Sequence, residues 1–309
     1  MADALTIRKD AMFFFGDGDD GVIGIPGLTA DGNVIETSYF FGKTKPKNIV
    51  VISSQVSCPL RCSFCELGAE RFVRNLSKEE IRDQAFMILG HARLQGFDVD
   101  RVPHKITVAN SGEPLLNQRL VDGLELLAGY PASFKVSTVL PAAKAATDAL
   151  ARLADFAAQL GQPVQLQVSL LSTSEERRAQ VSGGRVADFR GIRAAGEMWR
   201  SKIPSGRKVN LSLMLTSDMP CDADAAAKFF PTELFRFRFR EYVPTRHGDA
   251  SGLEVASAVR RAEIKDAFGA KGYEVGDWAS PTPTERKFGL AANVIRRMYL
   301  DLVGRKPSS

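Results

Sequence analysis

Three thiols stand close together in this sequence, in Cys58-Pro-Leu-Arg-Cys62-Ser-Phe-Cys65, with the spacing C-x3-C-x2-C. Thiolates are soft ligands that suit iron–sulfur clusters and zinc. Three of them on one short loop can hold three corners of a four-iron, four-sulfur cube. The fourth iron then stays open to an exogenous ligand. A cluster used only for electron transfer usually takes four cysteines, so the missing fourth points to chemistry at the iron. Structural zinc is the competing reading. It wants four closed ligands, for which Cys221, His91, His104 and His247 are the candidates. A disulfide framework would spread its cysteines through a small secreted fold, whereas here three of four lie within eight residues. A reducing, cytoplasmic setting is therefore expected.

The surrounding pattern says what must position that loop. Residues 13–15, 21–25 and 34–41 are short apolar or β-branched runs punctuated by turn residues, so the first 47 residues read as a β-rich extension. Strands and helices then alternate. Strands are expected at 49–54, 105–109, 134–140, 164–171, 208–215 and 234–243. Helices are expected at 78–95, 118–128, 142–160, 175–180, 189–202 and 223–229. Ser77 and Glu80 form a capping box at the start of the first of these. Residues 255–270 and 286–303 read as tail helices with a strand-like 273–278 between them, and Gly183-Gly184 as a loop. Six strand–helix units make an α/β fold, a partial (β/α)6 barrel with a β-rich N-terminal extension and a C-terminal helical tail. A doubly wound sheet is the alternative. The expected division is 1–47, 48–245 and 246–309.

Bulk composition sets limits. The 309 residues are 44% hydrophobic, enough for a sizeable core and against wholesale disorder. No apolar run approaches the roughly 20 residues of a membrane span, and the first ten residues carry no secretory signal. The net charge of +5 mildly favours an anionic partner: RNA, a nucleotide or a phosphorylated metabolite.

The cysteine spacing, with aromatic Phe64 before the last cysteine, resembles the signature of the radical S-adenosylmethionine superfamily. More closely, the chain resembles the methyl-synthase family that acts on an adenine carbon of ribosomal and transfer RNA. Five blocks carry this resemblance, in order: Ser53-Ser54-Gln55-Val56-Ser57-Cys58; Arg74-Asn75-Leu76 followed by Glu80-Ile81 and Gln84; Gly112-Glu113-Pro114-Leu115-Leu116-Asn117; Val136-Ser137-Thr138; and Val168-Ser169-Leu170. The resemblance covers roughly residues 30 to 245. The resemblance implies a [4Fe-4S] cluster on Cys58, Cys62 and Cys65 whose open iron chelates S-adenosylmethionine. It also implies that Gly112 and Glu113 meet the amino end of the cosubstrate, and that Ser137 and Ser169-Leu170-Leu171 meet its ribose, carboxylate or adenine. Glu36 matches a glutamate proposed in that family as a base or substrate contact; a solvated strand carboxylate is the other reading of it. Implied partners are a reducing electron donor of flavodoxin or ferredoxin type and a substrate that is a small molecule, a nucleotide or RNA, with no membrane.

The chain also departs from that family. A cysteine expected seven residues before the cluster is Val51, and the cysteine that carries the transferred methyl is matched by Asn293 in Ala291-Ala292-Asn293. An asparagine that helps bind the cosubstrate aligns with Val243, and Cys221 falls in a different segment. The resulting expectation is a radical enzyme of unidentified substrate. An RNA methyl synthase with another methyl carrier, and a non-catalytic iron–sulfur or zinc protein, are its rivals. One further pattern stands apart. Phe235-Arg236-Phe237-Arg238-Phe239-Arg240 puts three phenylalanines on one face of a strand and three arginines on the other. The arginines either line the barrel or lie on a solvated edge.

Overall fold

The computed structural model describes residues 5–10, 14–17, 21–42, 46–130, 132–277 and 293–304. Four strands lead: β1 (Ile7–Lys9), β2 (Phe15–Asp17), β3 (Val22–Thr29) and β4 (Val34–Phe41). All their pairings are antiparallel, and Gly32 at φ +80° makes the tight turn from β3 to β4. β4 pairs antiparallel with β5 (Asn48–Ile52). A separate two-residue ladder of β6 (Gln55–Val56) with β7 (Arg74–Asn75) brackets the cysteine loop. From β5 the main sheet continues through β8 (His104–Val108), β9 (Ala132–Thr138), β10 (Val164–Leu171), β11 (Val209–Leu215), β12 (Phe235–Glu241) and β13 (Val275–Asp277). Each of these pairings is parallel, and strand order follows chain order. A doubly wound sheet reverses direction at a switch point; this one does not, so it is an open, curved barrel sheet.

The helices α1 (Lys78–Leu94), α2 (Leu120–Glu125), α3 (Lys144–Gln159), α4 (Glu175–Val181), α5 (Phe189–Lys202), α6 (Ala223–Ala227), α7 (Arg246–Ala250), α8 (Ala258–Ala270) and α9 (Val294–Leu302) accompany it. The capping box at Ser77 forms as expected, both hydrogen bonds being present. The six expected strands are β5 and β8 to β12. The count needs one correction. Among the described residues seven parallel strands are present, because the strand-like stretch in the tail joins the sheet as β13 beside β12. Three residues are too few to show a period. β1, also three residues, escaped notice for the same reason. Residue 13 of one expected strand, 278 of another and 286–292 of the last expected helix lie outside the described residues.

The core lies between the outer face of this sheet and its helices. Leu166, Val168 and Leu170 of β10, Leu211 and Leu213 of β11, and Phe235, Phe237 and Phe239 of β12 point outward into it. Phe237 packs on Phe268 of α8 at 4.4 Å and on Tyr273 at 4.7 Å between ring centroids. Burying each such side chain stabilises the fold by about 1.5–3 kcal/mol. The opposite, inner face is polar, which prepares the site. No helix among the described residues is long and apolar enough to cross a membrane.

Candidate functional site

The cysteine loop leaves the carboxyl end of β5, the end where barrels carry their sites, and the expected sequence blocks hold it there. Gln84 on α1 accepts from Ser53 N–H through Oε1 (2.8 Å) and donates from Nε2 to Ser53 O (3.1 Å). Asn117 donates to the carbonyls of Ser54 (2.7 Å) and Leu76 (3.0 Å). Gln55 donates to Asn75 Oδ1 (2.8 Å) and accepts from Glu113 N–H (2.8 Å). Arg74 joins Asp31 and Glu80, 2.7 Å each. The buried members of this set, Gln55, Gln84 and Asn117, are hydrogen-bonded to the loop and its flanks, so the loop has one conformation available at low cost. Two glycines admit the close approaches. Gly112, at φ +102°, would set a Cβ 2.6 Å from Gln55 Cβ; Gly183, at φ +76°, would set one 2.6 Å from the backbone of Arg61. The segment around Gly183 backs the loop, with Ser63 N–H donating to Val181 O (2.9 Å) and Cys62 Sγ lying 3.4 Å from Ser182 O.

Cys58, Cys62 and Cys65 line one cavity of about 1160 Å3 that fills the inside of the barrel. None of the four cysteines forms a disulfide. Gly112, Glu113, Ser137, Ser169 and Leu171 line the same cavity, as do Val51, Val243 and Asn293. Two expected residues do not reach its wall. Leu170 is fully buried on the outer, helix-facing side, so only its backbone is near the cavity. Ser169 and Leu171 both face inward because a bulge interrupts β10 between them, with Leu171 at φ +67°. Glu36, on β4, lies behind the wall. It is fully buried and accepts from Arg296 N–H at 3.2 Å, so it is not a solvated carboxylate.

Glu113 is held from three sides. Its carboxylate accepts from Thr138 Oγ1 (2.5 Å), Val139 N–H (3.0 Å) and Leu115 N–H (3.1 Å). Burial pushes its carboxyl up to about 7 against the pull of these donors. It therefore ties the Gly112-Glu113 turn to the end of β9 as well as facing the cavity. Glu113→Ala strands two buried amide donors and should cost on the order of 2 kcal/mol, read as a lower urea midpoint at unchanged slope. An unchanged midpoint would show that these contacts carry no stability.

Burial, and after it the charge of neighbouring thiolates and of Glu113, raises the thiols of Cys58 and Cys62. Burial pushes Cys65 up to about 11, although Asn293 Nδ2, 3.8 Å from its sulfur, pulls the other way. Three neighbouring thiols, one buried and two partly buried, need a compensating positive charge to ionise together, which is what an iron–sulfur cluster would bring. The donor set thus fits a three-cysteine cluster with an open corner. Among the described residues no three His, Cys, Asp or Glu side chains converge on one point as a mononuclear metal site needs. Cys221 packs among Leu171, Met214 and Met219 and is pushed up to about 12 by burial. Of the histidines, His247 comes nearest the loop, with its ring against Gly68.

Sequence reading missed α9 as part of the site. Asn293 precedes it in the left-handed region, φ +65°, which Asn tolerates. Ser111 Oγ donates to its Oδ1 at 2.5 Å. Arg296 pairs with Glu70 at 2.5 Å, both nearly inaccessible, and Arg297 lies 3.2 Å from Glu66. Also missed were the inward lysines, Lys105 on β8 and Lys135 on β9. Their signal was present: polar residues alternate with apolar ones in Lys105-Ile106-Thr107 and Lys135-Val136-Ser137. The arginine face of β12 lines the cavity, so the edge-strand reading of it is wrong.

No family model matches this chain. Among curated proteins it resembles the probable dual-specificity RNA methyltransferase RlmN of Christiangramia forsetii, 29% identical over 214 residues, covering 67% of this chain and 58% of that protein. The protein of the same name from Chlorobium phaeobacteroides strain BS1 is 30% identical over 152 residues, covering 49% and 40%. The chain thus matches about half the length of these relatives. Among solved structures, a radical SAM methyltransferase from Sphaerobacter thermophilus shares the fold with a TM-score of 0.74 at 21% identity, covering 93% of this chain and 80% of that one. In sequence this chain thus resembles the RlmN methyltransferases, and in fold the radical SAM methyltransferase from Sphaerobacter thermophilus.

Proposed function

We propose that this protein is a radical S-adenosylmethionine enzyme in which Cys58, Cys62 and Cys65 hold a [4Fe-4S] cluster at the mouth of the barrel. When bound, the reduced cluster and S-adenosylmethionine supply a 5'-deoxyadenosyl radical that takes a hydrogen atom from the substrate. The observation that carries the reading is the gathering of three thiols from one loop around a cavity large enough for a cosubstrate and a second molecule. Ser137, Ser169, Leu171 and the Gly112-Glu113 turn line the stretch of wall a cosubstrate would occupy. The electron comes from a flavodoxin- or ferredoxin-type donor in this reading.

The test is anaerobic incubation of the reconstituted protein with dithionite and S-adenosylmethionine. The expected product is 5'-deoxyadenosine, formed slowly without substrate and absent when cluster or reductant is left out. A fully loaded, reducible cluster that yields none would overturn the proposal.

A further inference from the structure

The charge of the cavity wall does not suit the cosubstrate. Among the described residues eight basic side chains and two carboxylates, Glu113 and Glu241, line it. S-adenosylmethionine carries a sulfonium, an ammonium and one carboxylate, so it is itself a net cation. A cationic wall repels it overall and a single arginine would meet its carboxylate. The basic wall is therefore matched to something else.

The basic groups come from strands that are not neighbours. Lys105 is on β8, Lys135 on β9 and Arg236, Arg238 and Arg240 on β12, with β10 and β11 between β9 and β12. Curvature of the sheet brings them together across the lumen. Lys135 is nearly inaccessible, and after burial the charges that most lower its pKa are those of Lys105, Arg240 and Arg238. Lys105 is pulled down to about 8 by burial and then by Lys47, Arg238 and Arg207. Between these cations the wall offers neutral groups, Gln165, Gln167 and Asn210 among them. Two of the wall arginines have nearby carboxylates, Arg236 with Glu274 (3.7 Å) and Arg261 with Glu241 (3.8 Å). Basic groups converging from two sides of a low-dielectric lumen attract an anion that enters it far more strongly than they would in bulk water.

We propose that the inner wall between β8–β9 and β12 is the substrate site, and that it takes a small molecule bearing at least two phosphate groups. Arginine forks suit phosphate oxygens in pairs, and the lysines serve as point charges from the opposite side. The cations lie inside a cavity of about 1160 Å3 rather than on the outer surface, which fits a small molecule and not the backbone of a folded RNA. A nucleotide and a non-nucleotide phosphorylated metabolite share this chemistry. The word substrate rests on the radical-enzyme reading; the anion site itself does not.

The test is calorimetric titration of the full-length reconstituted protein with inorganic pyrophosphate, then with nucleoside diphosphates, at constant ionic strength. Saturable one-to-one binding of pyrophosphate is expected, tighter for a nucleoside diphosphate if the source is a nucleotide. Arg238→Gln and Lys135→Met should each weaken it at least tenfold, while Lys144→Gln, on the exposed face of α3, should leave it unchanged. Arg238→Lys, which keeps the charge but loses the fork, should recover part of the affinity and so separates a lost anion contact from a misfolded variant. Binding near pH 8 should also take up protons, because a bound anion raises Lys105; titrations in buffers of different ionisation enthalpy read this directly. Failure of pyrophosphate to saturate the wild-type protein overturns the proposal. So does binding that both variants retain, or tight binding of a single-stranded RNA that pyrophosphate does not displace. Anion binding without 5'-deoxyadenosine formation would sink the radical reading and leave this site standing; the reverse result would sink this site alone.

Discussion

Replacing Cys58, Cys62 or Cys65 by Ala should abolish cluster assembly and with it all cleavage of S-adenosylmethionine. Iron loading should fall from about four per chain, the content of one [4Fe-4S] centre, to background. The broad charge-transfer absorption should disappear with it. The expectation follows from the donor set. In the proposed assignment each thiol supplies one corner and the loop offers no fourth cysteine. Cys221→Ala is the matched control. Its thiol is buried among apolar side chains, is absent from the cavity wall and is held protonated by burial. It should load iron and form 5'-deoxyadenosine as the parent does. Stoichiometric zinc in place of iron, or loss of iron in Cys221→Ala alone, would falsify the assignment of the three-cysteine loop.

Incubation with methyl-labelled S-adenosylmethionine should leave no label on the protein. The RNA methyl synthases that the chain resembles first place a methyl on a cysteine, and only a thiolate is nucleophilic enough to accept it at neutral pH. The position matched to that cysteine is Asn293, which the fold sets beside the cluster loop, 3.8 Å from Cys65 Sγ and on the cavity wall. The place is therefore kept while the chemistry is removed. An amide neither ionises nor forms a thioether, and its oxygen is already engaged by Ser111. The second cysteine of that route is Val51, also on the wall and without a sulfur. One S-adenosylmethionine should be used per turnover, as a radical source only. A stable label on the protein, checked by mass spectrometry of tryptic peptides, would overturn this. A label at Cys221 would revive methyl transfer by an unconventional carrier.

Much of this site was legible because two signals coincided. The cysteine spacing names a chemistry, and the strand–helix alternation after residue 47 places the loop at the end of a first parallel strand. The strands carried their own signature, and β10 spans Val164–Leu171, the range its sequence indicates. What stayed hidden depended on tertiary partners. Glu36 is on a strand readable from its β-branched run, yet only α9 lying over it turns a solvated-looking carboxylate into a buried one. Alternation puts Lys135 on the polar face of its strand, but nothing local tells whether that face turns inward. Curvature decides that, together with β12, whose arginines answer it across the lumen. The alternation in β12 was visible, but its two explanations became separable only when Phe235, Phe237 and Phe239 were found packed beneath the helices.

The pairing of Arg296 with Glu70 joins residues 226 positions apart, and Asn293 reaches Cys65 across 228. A ribosome adding about 5–20 residues per second takes roughly 10–45 s to cover that distance. For that interval the nascent chain displays its cysteine loop without the helix that later covers it, and Glu70 without its counter-ion. The surroundings of Cys65 are thus completed long after the loop itself is made, since its neighbour Asn293 lies 228 positions later. Vectorial translation imposes an order on this protein: the cysteine loop and the first strands are made before α9, which lies beside them in the fold.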